Sequence, residues 1–300
     1  MTPELLIVGA GPCGVSAALW AKSLGIEPLL LERGPRAGGQ LLHVHFVPTN
    51  FAAAATGVGT SLAERLGEQL AEMGIAVRYQ AEVAALEDGP ALRLADGTRL
   101  EAKVVLIASG VRRRHLGVPG ERELEGHGLT YSATQDRATL VGEDVAVIGG
   151  GDAAFENALL LSAAGCRVTL VVRGTPRARA DFRDRVAADP RIEVLEHTRV
   201  IAIDGETDVE QVVVMGDRGR FPLPVGGVVV KVGVLPNSEW LEGAIDRDAE
   251  GFVKVDESLL TSRPRVWAAG DVTRPPLFGI AVATGQGAVA VASIRTALRG

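Results

Sequence analysis

The residue types that could do chemistry in this chain cluster in two short glycine-rich turns, each followed downstream by a place for a charged group. The first turn is Gly9-Ala10-Gly11-Pro12-Cys13-Gly14, set directly after the apolar run Leu5-Leu6-Ile7-Val8. In this spacing Gly9 makes a tight turn, Gly11 lets backbone approach a pyrophosphate, and Gly14 lets the next helix pack on the strand. The segment from Val15 to Leu24, closed by Gly25, reads as that helix, and its N-terminus offers unpaired N–H groups and a partial positive charge to phosphates. A second apolar run, Pro28 to Leu31, ends at Glu32, where an acid accepts hydrogen bonds from a ribose. A lone glycine motif arises by chance, but strand, glycines, helix, strand and acid in this order specify a dinucleotide site.

The same arrangement returns later. Asp144 to Ile148 reads as a strand, followed by Gly149-Gly150-Gly151-Asp152-Ala153-Ala154 and a helix through Leu161. The exits match as well, Ser23 to Gly34 in the first copy against Ala163 to Gly174 in the second. Two βαβ units imply two dinucleotide sites. In the second, Val172 stands where the first has Glu32, and Arg173 follows it, with Arg177 and Arg179 close by. Without an acid, the 2′-hydroxyl of NADH has no acceptor, whereas guanidinium groups suit the 2′-phosphate of NADPH. The same arginines also read as an ordinary solvated cluster, so NADH stays open.

The elements that must position these turns read as α/β: two Rossmann-like three-layer dinucleotide-binding domains, the second inserted in the first. Residues 1–113 and 225–300 are assigned to the first domain and 114–224 to the second, with Val111 to Gly128 as a linker. A length of 300 residues suits two cores, and 47% hydrophobic content with 37 glycines suits an α/β chain rich in tight turns. Ala63 to Met73 reads as an amphipathic helix, Ala81 to Ala102 as an antiparallel meander turning at Asp96-Gly97, and Ile280 to the C-terminus as a long helix. The net charge of −6 argues against a nucleic-acid surface. No apolar run is long enough to span a bilayer and no leader is evident, so a cytoplasmic protein is expected. Only Cys13 and Cys166 carry thiols, with no metal-ligand spacing.

Taken together, the chain resembles the low-molecular-weight thioredoxin reductases over essentially its whole length. The stretches that carry the resemblance are Gly9 to Gly14, Gly39-Gln40-Leu41, Thr49-Asn50-Phe51, Ile107 to Gly110, Val118 to Glu121, Gly149 to Ala154, Gly233 with Pro236-Asn237, and Ala269-Gly270-Asp271. The resemblance implies a homodimeric flavoprotein that passes electrons from NADPH through FAD. It implies that FAD is lined by Gly9, Gly11, Pro12, Gly14, Glu32, Arg33, Gly39, Gln40, Leu41, Asn50, Val83, Ala108, Ser109, Gly110, Gly270, Asp271 and Ala281. By the same resemblance, Gly149, Gly151, Asp152, Ala153, Ala154, Arg173, Arg177 and Arg179 face NADPH.

Three departures bear on function. The family's redox-active Cys-x-x-Cys is replaced in Tyr131-Ser132-Ala133-Thr134-Gln135-Asp136, with Ser132 and Gln135 at the cysteine positions, so no dithiol relay exists there. The family's His-Arg-Arg phosphate grip reads Val172-Arg173-Gly174. The family's Arg-Gln-Ala beside the flavin reads Phe278-Gly279-Ile280-Ala281. The leading expectation is transfer to an acceptor that is not a protein dithiol: ferredoxin or flavodoxin, a quinone or a small molecule. No side chain is assigned to acid–base or nucleophilic catalysis. His43 and His45 could lie near the ring or on the surface. Relatives that reduce bacillithiol disulfide carry a cysteine at the position of Cys13, which gives an alternative enzyme, although phosphates beside that turn disfavour the thiolate. A flavin-binding sensor without turnover is another alternative. Arg112-Arg113-Arg114-His115 offers either a docking surface for an acidic electron carrier or a solvated run.

Overall fold

A computed structural model describes residues 3–44, 48, 51 and 58–299, and the side chains at 134–137 fall outside that description. Asn50 and His45 therefore lie outside the described residues. The chain divides into two compact units, Met1–Arg112 with Leu235–Gly300, and Arg113–Val234.

The first unit begins with β1 (Leu5–Val8), α1 (Pro12–Ser23), β2 (Pro28–Leu31), α2 (Gly59–Glu72) and β3 (Ala76–Arg78). The meander β4 (Val83–Glu87), β5 (Ala91–Leu94) and β6 (Arg99–Glu101) follows, then β7 (Val104–Ile107) and the crossing strand β8 (Val111–Arg113). In the second unit come β9 (Leu129–Thr130), α3 (Ala133–Leu140), β10 (Asp144–Ile148), α4 (Asp152–Ala163), β11 (Arg167–Val171), α5 (Ala180–Ala187) and β12 (Ile192–Leu195). An antiparallel sheet, β13 (Arg199–Asp204), β14 (Gln211–Gly216) and β15 (Gly219–Pro224), precedes β16 (Gly227–Val230). The chain returns through β17 (Val234–Pro236) to β18 (Val266–Ala268) and α6 (Ile280–Arg299).

Each unit is built on a five-stranded parallel sheet whose four strands from one edge follow the same order, while the fifth comes from the end of the chain in the first unit and from before β10 in the second. The orders are β3-β2-β1-β7-β18 in the first and β12-β11-β10-β16-β9 in the second. Strand residues alternate between two faces. Leu5 and Ile7 pack with Ala17, Ala18, Val291 and Ile294 of α1 and α6, while Leu6 and Val8 pack with Leu86, Leu92 and Leu94 of the meander. The second unit repeats this: Val145 and Val147 face Phe155, Ala158 and Leu161, whereas Ala146 and Ile148 face Val200, Val212 and Val214 of the antiparallel sheet. Three layers in each unit result.

Two readings of the sequence are corrected. The return to the first unit comes at Leu235 and not at Val225. The apolar run Gly227–Val230 pairs in parallel with β10, Val145 to Ile148, and so completes the second unit's sheet. Likewise, Val111 to Gly128 is not a plain linker. Glu121, only 2% exposed, accepts the Leu116 and Gly117 N–H groups, both at 2.7 Å, and the Tyr131 hydroxyl at 2.8 Å. Leu124 joins the core beside Ile203 and Val209.

Close packing at the first glycine turn is severe enough to test. A Cβ on Gly14 would stand 1.9 Å from the Gly9 carbonyl oxygen, a backbone atom that cannot swing aside. Gly14→Ala is expected to cost about 3 kcal/mol or more by overpacking. Thermal unfolding of this variant should show a clear drop in Tm, and an unchanged Tm would mean that α1 does not press on β1 as described.

Candidate functional site

In the first unit the carboxyl edge of the sheet gathers the candidate residues. Gly9, at φ +102°, turns the chain out of β1, where a Cβ would lie 2.5 Å from the Ala108 carbonyl oxygen. Gly11 caps α1 with Pro12 in the first turn, and no side chain bonds the N–H groups there. A Cβ on Gly39 would lie 3.0 Å from Gly11 Cα, and the Gly38 N–H bonds Ala10 O at 2.8 Å. Two glycine loops thus meet backbone to backbone. Glu32 ties them down: its carboxylate accepts the Ala10 N–H at 2.8 Å and the Gly34 N–H at 2.7 Å. Each oxygen keeps acceptor capacity for a further donor.

Beyond β7, Ser109 and Gly110 (φ +64°) are locked by Asn237, which the sequence marked only as part of one of the stretches carrying the resemblance. Asn237 donates to Ser109 O at 2.8 Å and to Gly110 O through its N–H at 3.0 Å, and Ser109 Oγ donates back to Asn237 O at 2.7 Å. Gln40 reaches from its short 3₁₀ turn to Val111 O at 2.5 Å, and Leu41 beside it is buried. Val83 is buried in the meander, while Arg33 and Ala281 are exposed. Gln286 went unnoticed in the sequence; its side-chain oxygen accepts the Gly270 N–H at 2.7 Å and fixes the Gly270-Asp271 turn. Nothing local marks such a residue, since it acts across sixteen positions from within α6.

Asp271 stands out electrostatically. Its Oδ1 is buried and has no hydrogen-bond partner among the described residues, and burial pushes the carboxyl up to about 6. Cys13 lies beneath it: a Cβ on Gly270 would come within 3.1 Å of Cys13 Sγ. Burial first, and then the Asp271 charge, push the Cys13 thiol far above its ordinary range. Those two causes act in addition to the phosphate charge that the sequence suggested.

The second unit repeats the geometry with different chemistry. Gly149 (φ +147°) turns out of β10 with a virtual Cβ 2.2 Å from Lys231 O, and Gly151 caps α4 with open space where a Cβ would sit. Ala154 is fully buried against this turn, whereas Asp152 and Ala153 are exposed. Val172 follows Val171 as Glu32 follows Leu31, with Ile148 paired to Val171 as Val8 is to Leu31. Its buried side chain faces Gly150 and offers no acceptor. The Arg177 N–H bonds Gly150 O at 2.6 Å, which folds the arginine loop onto the glycine turn. Arg179 is committed: Asp152 pairs with its Nε at 3.1 Å and accepts its backbone N–H at 2.7 Å, and its guanidinium lies over Phe182. Arg173 and Arg177 are exposed and form no ion pair among the described residues.

A family model for pyridine nucleotide-disulphide oxidoreductases matches residues 3–292. The chain belongs to that family. Its cofactors are FAD and NAD(P)H. It is 34% identical over 295 residues to an NADH dehydrogenase of Bacillus subtilis, covering 96% of this chain and 57% of that protein. The chain therefore spans little more than half the length of that relative. Thioredoxin reductase of Peptoclostridium litorale is 32% identical over 298 residues, with 96% of this chain and 94% of that protein covered. Among solved structures, thioredoxin reductase of Lactococcus lactis superposes with a TM-score of 0.80 at 28% identity, covering 98% of both chains.

The residues present fit these cofactors. An unpartnered buried carboxylate at Asp271, uncapped N–H groups at α1 and facing glycine backbones form a cradle for a ribityl-pyrophosphate chain. In the second unit, the open flank of Gly151 with unpaired arginines beside it fits a phosphorylated ribose and pyrophosphate.

Proposed function

We propose that this protein takes electrons from NADPH through FAD to an acceptor that is not a protein dithiol, namely a small electron carrier, a quinone or another small molecule. The observation that carries this reading is where sulfur is absent and where it is placed. Ser132 and Gln135 stand at the family's dithiol positions, and both cysteines, Cys13 and Cys166, are buried. When bound, FAD supplies the capacity to accept hydride from the nicotinamide and pass electrons on. In this reading the first unit's Glu32, Asp271 and glycine backbones hold and orient the flavin nucleotide. The second unit's Gly149–Gly151 turn and Arg173 and Arg177 hold NADPH, with Arg179 positioning the loop through Asp152.

Burial of Cys13 in the α1–α6 core disfavours the low-molecular-weight disulfide alternative, because only a thiolate attacks a disulfide. The Arg112–His115 run also offers less free charge than its sequence suggested. Arg112 bonds Pro236 O and Asn237 Oδ1, both at 3.1 Å, and pairs with Glu239. His115 Nδ1 lies 2.6 Å from the Tyr131 hydroxyl, and Arg113 lies over the Tyr131 ring. A homodimer and a cytoplasmic site of action belong to the same reading; among the described residues no helix is long and apolar enough to cross a membrane.

Nucleotide choice tests the second site. With Val172 in place of an acid, NADPH should reduce the flavin more efficiently than NADH. Arg173→Ala should narrow the preference by roughly tenfold, the scale of one charge-assisted hydrogen bond. Stopped-flow bleaching of the flavin with each nucleotide measures it, and a native preference for NADH would show the arginines to be solvated bystanders.

A further inference from the structure

The two parallel sheets can be read against each other residue by residue, and one position differs in charge. In the first unit Val8 pairs with Ile107, and the next residue, Ala108, bonds Val8 O through its N–H at 2.8 Å. In the second unit Ile148 pairs with Val230, and the next residue, Lys231, bonds Ile148 O at 2.7 Å. Ala108 O backs onto Gly9 just as Lys231 O backs onto Gly149. Lys231 is thus the register equivalent of Ala108, and it puts an ammonium group where the first unit has a methyl.

That place is defined in the nucleotide crevice. Ligands of such sheets lie outside the carboxyl ends of the strands, where strand order reverses, which here is between β10 and β16. The adenosine ribose belongs over the end of β11, at Val172 and Arg173, with the pyrophosphate on the Gly149–Gly151 turn. The other half of the dinucleotide then lies over the ends of β16 and β9. Lys231 follows β16 directly, and its Nζ donates to the carbonyl oxygen of Tyr131, the residue after β9, at 2.6 Å. Its ammonium carries two further protons, and no described carboxylate pairs with it within ion-pair distance.

We infer that Lys231 is a specificity-determining residue that makes the second site prefer the reduced, uncharged nicotinamide ring over the positively charged oxidised one. The inference rests on the assignment of NADP(H) to this unit. A fixed positive charge in a half-buried crevice repels the ring of NADP⁺ and leaves that of NADPH untouched, so it favours release of the spent nucleotide while opposing the positive charge that builds on the ring as hydride leaves. The groups facing Lys231 are Arg113 on β8, Glu156 on α4 and Tyr131 after β9, the last backed by Glu121 and His115. Burial, reinforced by Arg113 and opposed by Glu156, brings the Lys231 ammonium down to about 8. The charge is therefore present at neutral pH and is lost as pH rises through about 8.

The test uses the FAD-loaded protein and two probes: NADP⁺, and the tetrahydro derivative of NADPH, whose ring is uncharged and gives no hydride. Affinities are read from the perturbation of flavin absorbance in the native protein, Lys231→Met and Lys231→Arg. Lys231→Met is expected to tighten NADP⁺ roughly fivefold or more, with the tetrahydro probe changed by less than about twofold. Lys231→Arg should keep the native ratio, which separates charge from packing. In the native protein NADP⁺ affinity should rise between pH 7 and pH 9, and in Lys231→Met it should not. An unchanged ratio in Lys231→Met, or equal loss of both affinities, would overturn the inference. Failure of the native protein to bind either probe would instead overturn the assignment of the nucleotide to this unit, and the inference with it.

Discussion

Asp271→Asn is expected to weaken FAD binding about tenfold or more while making the flavin-free chain more stable. The substitution keeps shape and removes only the charge of a buried carboxylate whose Oδ1 finds no partner among the described residues. Burial raises Asp271 from 3.8 to about 6, so the folded flavin-free chain binds more protons than the unfolded one between those values. Stability is therefore greatest below this window and falls as pH rises through it. Above about 6 the penalty is complete, on the order of 3 kcal/mol, and asparagine does not incur it. FAD affinity moves the other way, because ribityl hydroxyls donate better to a carboxylate than to an amide. The loss of one charge-assisted bond corresponds to about tenfold or more in affinity. Melting curves of the apoprotein at pH 4 and pH 7, with flavin fluorescence titrations of both proteins, check the two signs together. Unaltered flavin content in Asp271→Asn would remove Asp271 from the site.

Disulfide substrates are expected to be poor. With Ser132 and Gln135 at the dithiol positions, the remaining thiols must act or nothing does. Cys166 is fully buried, with Sγ donating to Leu140 O at 2.9 Å. Cys13 is 5% exposed, and burial and Asp271 hold it protonated. NADPH oxidation with thioredoxin, bacillithiol disulfide or an aromatic disulfide should run at least about a hundredfold slower than with quinones or one-electron acceptors, since the attacking species is the thiolate. Cys13→Ala should leave both rates unchanged. Fast disulfide turnover that vanishes in Cys13→Ala would restore the low-molecular-weight thiol reading.

How much of this was legible in the sequence depends on how local each signal is. The two glycine turns, Glu32 and its replacement by Val172 could be read directly, because a strand, a turn and the next strand lie within about thirty residues and carry their own spacing. The meander was legible from Asp96-Gly97 and its alternation. Gly227–Val230 was misplaced because a buried parallel strand looks the same in either unit, and only pairing with β10 decides ownership. The stretch around Glu121 looked like a polar linker because its burial depends on Tyr131 and two backbone N–H groups brought to it by folding. Gln286 and Lys231 were invisible for the same reason: their meaning lies in the register of distant strands and a helix.

The central claim is that the flavin is this protein's only redox centre beyond the nicotinamide, and an anaerobic reductive titration tests it most directly. NADPH is added stepwise to the FAD-loaded protein, and flavin absorbance and nucleotide consumption are followed together. One equivalent of NADPH should bleach the flavin fully, and further additions should accumulate unoxidised. Consumption of a second equivalent per flavin would reveal a second two-electron acceptor in the chain and contradict the account.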